Sequence, residues 1–468
     1  MKYVSTRAQA PELGFCDAIL AGLARDGGLY VPREWPRFSH DEIAALAGKP
    51  YAQVAYTLLR PFVEGEIPDA VFKAIIDDAY AQFRHPAVAP LVQLDSNHFL
   101  LELFHGPTLA FKDVAMQLLG RLMDHILRER NRRATIVGAT SGDTGGAAIE
   151  AFRSCDNIDI FILFPKGRVS PVQQRQMTTV AAPNVHALAI DGSFDDCQAR
   201  VKDMFNHLAF RDRAALSGVN SINWGRIMAQ IVYYFTSAVA LGAPDRPVRF
   251  TVPTGNFGDI FAGYAAMQMG LPIDRLVIAT NVNDILDRTL KTGRYTVTRV
   301  EATTSPSMDI QVSSNFERLL FEAGGRDGAA VRSQMERLKQ GGSFAIPDDT
   351  LKAIKQAFGS GRALEPEVSD MIATMLKTTG YLLDPHSAVG CAVAADHGAP
   401  GVPMISLATA HPAKFPDAVA AASGVRPELP DWVGDLMARP ERLSVLPNDL
   451  TVIESYIAER SRALAADA

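Results

Sequence analysis

A chain of 468 residues is longer than one hydrophobic core normally supports, so two or three domains are expected. Apolar residues make up 47% and charged residues 21%, and 46 basic against 52 acidic side chains leave a formal charge of −6. That balance excludes a general basic footprint for nucleic acid or a membrane surface, and no stretch reaches the ~18 apolar residues of a membrane span.

The N-terminus, MKYVSTRAQAPELGF, has no apolar h-region, so no signal peptide is expected. Cys16, Cys155, Cys197 and Cys391 lie far apart without a C-x-x-C pair. This argues against a zinc site or disulfide framework and fits a reducing cytoplasm. The ten histidines show no metal-ligand spacing such as H-E-x-x-H, so no metal is expected.

Roughly the first 90 residues read mainly as helix. FCDAILAGLARDGGLYVP is apolar-periodic and is stopped by Gly27, Gly28 and Pro32. SHDEIAALAG offers an N-cap and ends in glycine, and PDAVFKAIIDDAYAQF is a third helix with apolar residues at helical spacing. Two prolines in RHPAVAP break the pattern and mark a boundary. From there strands and helices alternate. HFLLELF, RATIVGAT, IDIFILFP, NVHALAI, VRFTVPTG and RLVIAT read as strands, with helices such as FKDVAMQLLGRLMDHILRER and FDDCQARVKDMF between them. Such alternation predicts an α/β fold with mostly parallel sheets. Residues from about 284 to 385 are helix-rich and interrupt it, and VPMISLATAHP returns to a sheet.

Lys112, in HGPTLAFKD, follows an apolar stretch ready to be buried. Burial favours the neutral amine, a nucleophile able to form a Schiff base with a carbonyl. The plainer reading pairs Lys112 with Asp113 or lets it snorkel to water. Three strand-to-helix turns are rich in small and hydroxyl residues. GATSGDTGGAA (138–148) and PTGNFGD (253–259) each precede a helix, where free N–H groups suit an anion. Neither matches G-x-x-x-x-G-K or G-x-G-x-x-G. SLATAHPAKF (406–415) is hydroxyl-rich, with Lys414 nearby. Any one is readily a structural turn, but ligands of open α/β sheets bind at the carboxyl ends of strands. NSINWGR (220–226) adds Asn220, Ser221 and Arg226, a set suited to a phosphate or carboxylate, against the plainer reading of a helix start with a surface arginine.

Together these motifs resemble the pyridoxal-phosphate enzymes of the tryptophan synthase β fold type, and within it the threonine synthases of the bacterial and fungal branch. The resemblance runs from YVSTRAQAPELGFCDAILAGLARDGGLYVP through HGPTLAFKD, SGDTGGAA, NSINWGR, PTGNFGD, MDIQVSSNFERLLF and DPHSAVG to ATAHPAKF. SGDTG departs from the SGNT commoner in the fold type, so Asp143 stands where an asparagine usually touches the cofactor's 3′-oxygen. Ala8 stands where a glycine is usual, a change expected to be minor.

The resemblance implies two open, mostly parallel-sheet domains with helices on both faces, plus a helical N-terminal domain over 1–92. The large cofactor-binding domain would comprise 93–129 and 236–468, with the helix-rich insertion at about 284–385, and the small mobile α/β domain 130–235. It implies pyridoxal 5′-phosphate linked to Lys112, which is also the catalytic base. Asp143, the loop Gly255, Asn256, Phe257, Gly258 and Asp259, and Thr409 would bind the cofactor, with Thr409 at the ring nitrogen. Ser141, Thr144, Asn220, Ser221 and Arg226 would bind the substrate, O-phospho-L-homoserine, which becomes L-threonine and phosphate. A cytoplasmic monomer or homodimer, with no nucleic-acid or membrane partner, is the corresponding expectation. The alternatives are another lyase on the same scaffold, such as a hydroxyamino-acid dehydratase or a phospho-lyase giving 2-oxobutyrate, or a non-catalytic relative that binds the cofactor.

Overall fold

Apolar strands alternating with helices build two sheets, in agreement with the α/β expectation. In the computed structural model, which describes residues 1–465, the larger sheet has six strands. Their order is Phe358–Arg362, Ile273–Thr280, Val248–Pro253, Met404–Ala408, His98–Glu102 and Leu91–Gln93. All neighbours run parallel except the last pair. The smaller sheet has five parallel strands, Ser444–Pro447, Val185–Asp191, Ile158–Pro165, Ala134–Ala139 and Leu216–Ser217. Its central strand, IDIFILFP, is buried at every residue, which is why it reads as a continuous apolar run.

The helix Lys112–Glu129 packs on helices Asp143–Phe152 and Trp224–Ala240. Gly120 permits the first contact: a Cβ there would come within 2.8 Å of the Ala151 carbonyl oxygen. No helix among the described residues is long and apolar enough to cross a membrane.

Three parts of the fold differ from the sequence reading. The first helix spans Phe15–Ala21 and stops at Gly22, which adopts φ +64°, so it never reaches Gly27. YVP is instead a strand, Tyr30–Pro32, antiparallel to Tyr3–Ser5. The Asp26 carboxylate closes this unit by accepting from Ser5 Oγ and from the N–H groups of Gln9, Ala10 and Gly28. Ala8, in the same turn, is held at φ +57°, which explains the usual glycine and makes the alanine more than a neutral change.

The helix-rich stretch 284–385 also contributes strands. Phe358–Arg362 forms an edge of the larger sheet, and Arg294–Thr296 pairs with Ser343–Ala345. The sequence FGSGR hides this edge because glycine is a poor strand former. Here Gly361 is required by close packing, since a Cβ would lie 2.8 Å from Val393 Cγ1.

The C-terminus corrects the assignment of all of 236–468 to the large domain. Ser444–Pro447 pairs with Val185–Asp191, and helix Leu450–Ala458 packs on helix Phe194–Asn206. The last stretch of chain therefore completes the smaller sheet. The pairing is non-local, and nothing in a four-residue strand specifies its partner.

Candidate active site

Lys112 opens its helix after a turn in which Leu109 takes φ +62°. That turn is tied to the chain beyond the strand Met404–Ala408. Phe111 N–H donates to the Thr409 carbonyl at 2.8 Å, and His411 N–H donates to the Leu109 carbonyl at 3.0 Å. Asp113 is not the partner of Lys112. Its carboxylate accepts from Thr108 N–H at 2.8 Å and Thr108 Oγ1 at 2.7 Å, and burial pushes its pKa up to about 6. Lys112 does not snorkel either, being only 7% exposed. Its Nζ donates to Asp143 Oδ2 at 3.1 Å and to Ser307 Oγ at 3.2 Å. Burial lowers its pKa despite the Asp143 carboxylate, leaving an amine biased toward the neutral form.

Asp143 begins the helix Asp143–Phe152 after Gly142, which adopts φ +147°. Only glycine suits that position, because a Cβ would lie 2.4 Å from the Gln173 side chain. Thr140 Oγ1 braces the turn by accepting from the N–H groups of Gly142 and Gly145. The N–H groups of Ser141, Asp143 and Thr144 donate to nothing among the described residues, so the turn presents three donors at a helix start. Ser141 and Thr144 are half-buried. The Asp143 carboxylate has four neighbours. Oδ2 faces Lys112 and Ser307, at 3.3 Å from the Ser307 hydroxyl. Oδ1 lies 2.8 Å from Lys414 Nζ and accepts from Gln173 Nε2 at 2.8 Å. Burial alone would raise the Asp143 pKa, but the adjacent lysines Lys112 and Lys414 hold it well below the usual carboxylate range.

The loop 255–259 forms a second set of donors. Its five N–H groups make no hydrogen bond among the described residues. Phe257 is held at φ +62°, and the helix Gly258–Gln268 follows. Gly255 is needed where the loop meets the chain at Ser307, whose carbonyl oxygen would lie 2.7 Å from a Cβ. Ser313 Oγ donates to the Gly255 carbonyl, and Asn315 donates to the Asn256 carbonyl through both its N–H and its Nδ2. The Asp259 side chain points elsewhere. It accepts from the hydroxyls of Tyr233 and Tyr234, and burial pushes its pKa up to about 6. Only its backbone belongs to the cradle.

Arg226 lies in the first turn of the helix Trp224–Ala240 and is 3% exposed, not the surface arginine of the plainer reading. One Nη donates to the Val219 carbonyl at 3.2 Å, while Nε has no partner among the described residues. Burial brings its pKa down to about 10, and its charge adds to the lowering at Lys112. Asn220 is exposed, and its side chain makes no hydrogen bond among the described residues. Ser221 contributes its carbonyl, which accepts from Asn315 Nδ2 at 3.2 Å. The structure thus places Lys112, Asp143 and Ser307 in contact, with Arg226 within electrostatic reach.

Thr409 is buried, and its hydroxyl bonds to no protein group among the described residues. Its N–H donates to Ser387 Oγ at 3.1 Å. DPHSAVG supplies this support. Asp384 caps the helix Pro385–Ala394 by accepting from the N–H groups of His386 and Ser387, and it also bonds the His386 ring at 2.8 Å and the Ser387 hydroxyl. His386 Nε2 accepts from Ser307 N–H at 3.2 Å. Arg318, fully buried, donates to the carbonyls of Tyr30 and Ile222 and to the Asn315 side chain, stapling the N-terminal strand to the Asn220 turn and the 255–259 loop. Ser307, Gln173, Asp384, His386, Asn315 and Arg318 were not singled out one by one from the sequence. For Asp384 a signal existed, an N-cap aspartate followed by proline at the first helical position.

The whole chain has relatives. Residues 2–80 match the family described as threonine synthase N terminus, 83–403 that described as pyridoxal-phosphate dependent enzyme, and 387–457 that described as threonine synthase, C-terminal. The threonine synthase of Pseudomonas aeruginosa is 53% identical over 461 residues, covering 98% of both chains. The chain belongs to the threonine synthase family. The structure of pyridoxal-phosphate-bound threonine synthase from Brucella melitensis matches with a TM-score of 0.98 and 64% identity, over 99% of this chain and 100% of that one. Yeast threonine synthase matches with a TM-score of 0.94 and 40% identity, over 99% of each chain.

The residues present fit the family's cofactor. A buried lysine with a lowered pKa suits its aldehyde. Five unpaired N–H groups suit its phosphate without adding a titrating group. The Thr409 hydroxyl has its bonding capacity free for a ring nitrogen. Among the described residues no group of three or more His, Cys, Asp or Glu is placed to hold a metal ion.

Proposed function

We propose that this chain converts O-phospho-L-homoserine and water into L-threonine and phosphate. When bound, pyridoxal phosphate supplies the aldehyde that receives the substrate amine and the ring that disperses negative charge from the substrate carbons. The chain's own groups do the rest. The N–H groups of 255–259 would hold the cofactor phosphate, and the Thr409 hydroxyl would serve the ring nitrogen. The Ser141 to Thr144 turn holds the substrate carboxylate. Lys112 Nζ, which burial biases toward the neutral form, takes the α-proton, hands it on, and is then free to take a β-proton. Arg226 grips the substrate phosphate until it leaves the γ-carbon. The γ-carbon that phosphate has left takes up a proton to become the methyl group, water adds its hydroxyl at the β-carbon, and the α-carbon regains a proton, with Lys112 carrying one proton at a time.

Arg226 is the observation that carries this reading. The 255–259 loop already provides for one phosphate, and a buried guanidinium with an unpartnered Nε within electrostatic reach of Lys112 provides for a second anion. A dehydratase of unphosphorylated hydroxyamino acids has no use for such a group. The two sheets carry different parts of the site, so we also take the smaller sheet, including its C-terminal strand, as the unit that closes over substrate. Four buried free cysteines accord with a reducing cytoplasm.

The test is product analysis. Purified protein loaded with cofactor and given O-phospho-L-homoserine should release threonine and phosphate in equal amounts. Release of 2-oxobutyrate and ammonia in place of threonine would assign it to another lyase.

A further inference from the structure

Two buried lysines share one carboxylate. Lys414 is fully buried, and its Nζ lies 2.8 Å from Asp143 Oδ1 and donates to the Thr108 carbonyl at 2.6 Å. Lys112 reaches the same carboxylate from the other side, at 3.1 Å from Oδ2, and its second partner is a hydroxyl at 3.2 Å. We propose that Lys414 is a positioning residue that tunes the charge of Lys112: by occupying Asp143 Oδ1 and presenting a like charge across the carboxylate, it disfavours a proton on Lys112 and biases it toward the neutral amine the reaction requires. The proposal rests on the function given above for Lys112.

Two ammonium groups on one carboxylate leave a positive charge uncompensated in a dry site, and their repulsion disfavours holding both protons. The proton more easily given up is the one on the amine with the weaker partners. Lys414 has a charged and a carbonyl acceptor, both closer than either acceptor of Lys112. A neighbouring cation is one of the established ways of making a lysine nucleophilic near neutral pH. The like charge of Lys414 works in this direction at Lys112, opposing Asp143.

The other charged groups around the pair do not substitute for Lys414. Arg226 lies on the helix Trp224–Ala240 and adds to the lowering at Lys112, but it makes no bond to Asp143. Asp113 is turned to Thr108, and His386 is held between Asp384 and Ser307 N–H. His411 precedes the Pro412–Lys414 turn, and burial holds its pKa down to about 4, so it stays neutral. Among the described residues only Asp143 and Ser307 hydrogen-bond the Lys112 amine, and the Phe111 ring lies against it at 4.9 Å.

The proposal is tested on full-length protein freed of cofactor, by competitive labelling of Lys112 with acetic anhydride across pH, read by peptide mass spectrometry. In Lys414→Met, Lys112 should be labelled about tenfold less at pH 7 than in wild type, with its midpoint moved to higher pH. Lys414→Arg should restore most of the labelling. In the loaded enzyme the acid limb of kcat/KM should move upward in Lys414→Met, in step with the labelling. Lys414→Gln, which keeps hydrogen-bonding capacity without charge, should behave as Met does and serves if Met fails to fold. An unchanged or lowered midpoint in either neutral variant would overturn the proposal. So would loss of the far-UV dichroism of both, which would make Lys414 structural. The labelling does not depend on turnover, so a wild-type protein that forms no threonine would sink the functional reading and leave this result standing by itself.

Discussion

Asp143 and Lys112 stand on different sheets and meet at 3.1 Å. Lys112 follows the strand His98–Glu102 of the larger sheet, and Asp143 follows Ala134–Ala139 of the smaller. The site is therefore assembled from two α/β layers, and this hydrogen bond is one of the contacts that join them.

Asp143→Asn leaves the buried Lys414 without its carboxylate partner and Lys112 without its charged acceptor. Breaking a buried pair from one side typically costs about 3–5 kcal/mol, so the urea midpoint at pH 7 should fall clearly below wild type. The pH dependence has a definite sign. The folded pKa of Asp143 lies below its ordinary 3.8, so the stabilisation is present above that value and is lost as pH falls through the folded one. The gap between the Asp143→Asn variant and wild type should hold from pH 7 to 5 and close only in strong acid. Equal midpoints at pH 7 would remove Asp143 from the electrostatics of the site.

Arg226→Leu tests the second anion site. Losing one partner of a desolvated, charge-assisted contact is worth roughly 2–5 kcal/mol. The value of kcat/KM for O-phosphohomoserine should accordingly fall by about 30- to several-thousand-fold. Binding of serine, which has no phosphate, should change little when followed by the cofactor's visible spectrum. Equal losses for both amino acids would make Arg226 structural.

Asp259 gives a pH test away from the chemistry. Its folded pKa of about 6 exceeds the ordinary 3.8 because burial disfavours the charge. The native state binds the extra proton between those values, so stability falls as pH rises through that window. From pH 5 to 7 this one group should account for about 1 kcal/mol of loss. Asp113 and Glu150, pushed up to about 6 and about 7, act in the same direction, so the readout is the difference between wild type and Asp259→Asn. The variant should lose less stability over that range, and identical slopes would contradict the buried, raised carboxylate.

Local pattern made much of this molecule legible in advance. IDIFILFP and VRFTVPTG are apolar runs ending at turns, and such runs become central parallel strands. Lys112 was legible because an isolated lysine in an apolar stretch poses a chemical question, and the glycine-rich turns because free N–H groups at helix starts suit anions. What stayed hidden was non-local. Lys414 meets Asp143 across 271 positions of chain, and neither residue carries a sign of the other. Ser307 sits in a stretch without periodicity and reaches Lys112 only through packing on Gly255 and His386. FGSGR looks like a loop because its glycines answer to Val393 and His397, which lie far along the sequence. Asp259 was assigned with its loop, although its carboxylate faces two tyrosines of a neighbouring helix.

Ala8 should be a site of easy stabilisation. A non-glycine residue at φ +57° costs about 1–2 kcal/mol, and glycine offsets part of the gain by about 0.5–1 kcal/mol in chain entropy. Ala8→Gly should therefore raise the urea midpoint slightly, by the equivalent of about 0.5–1 kcal/mol, with activity unchanged. A lowered midpoint would mean that the turn is not strained.

The central claim is that Lys112 is the reacting amine, and one measurement addresses it directly. Holoenzyme is reduced with borohydride, digested and mapped by mass spectrometry, beside the Lys112→Ala protein treated identically. The account expects loss of the visible band and the reduced cofactor on the peptide containing Lys112 and on no other. It also expects the Lys112→Ala protein to be folded, to carry no adduct and to form no threonine. An adduct on Lys414 or any other lysine, or substantial threonine formation by Lys112→Ala protein, would contradict it.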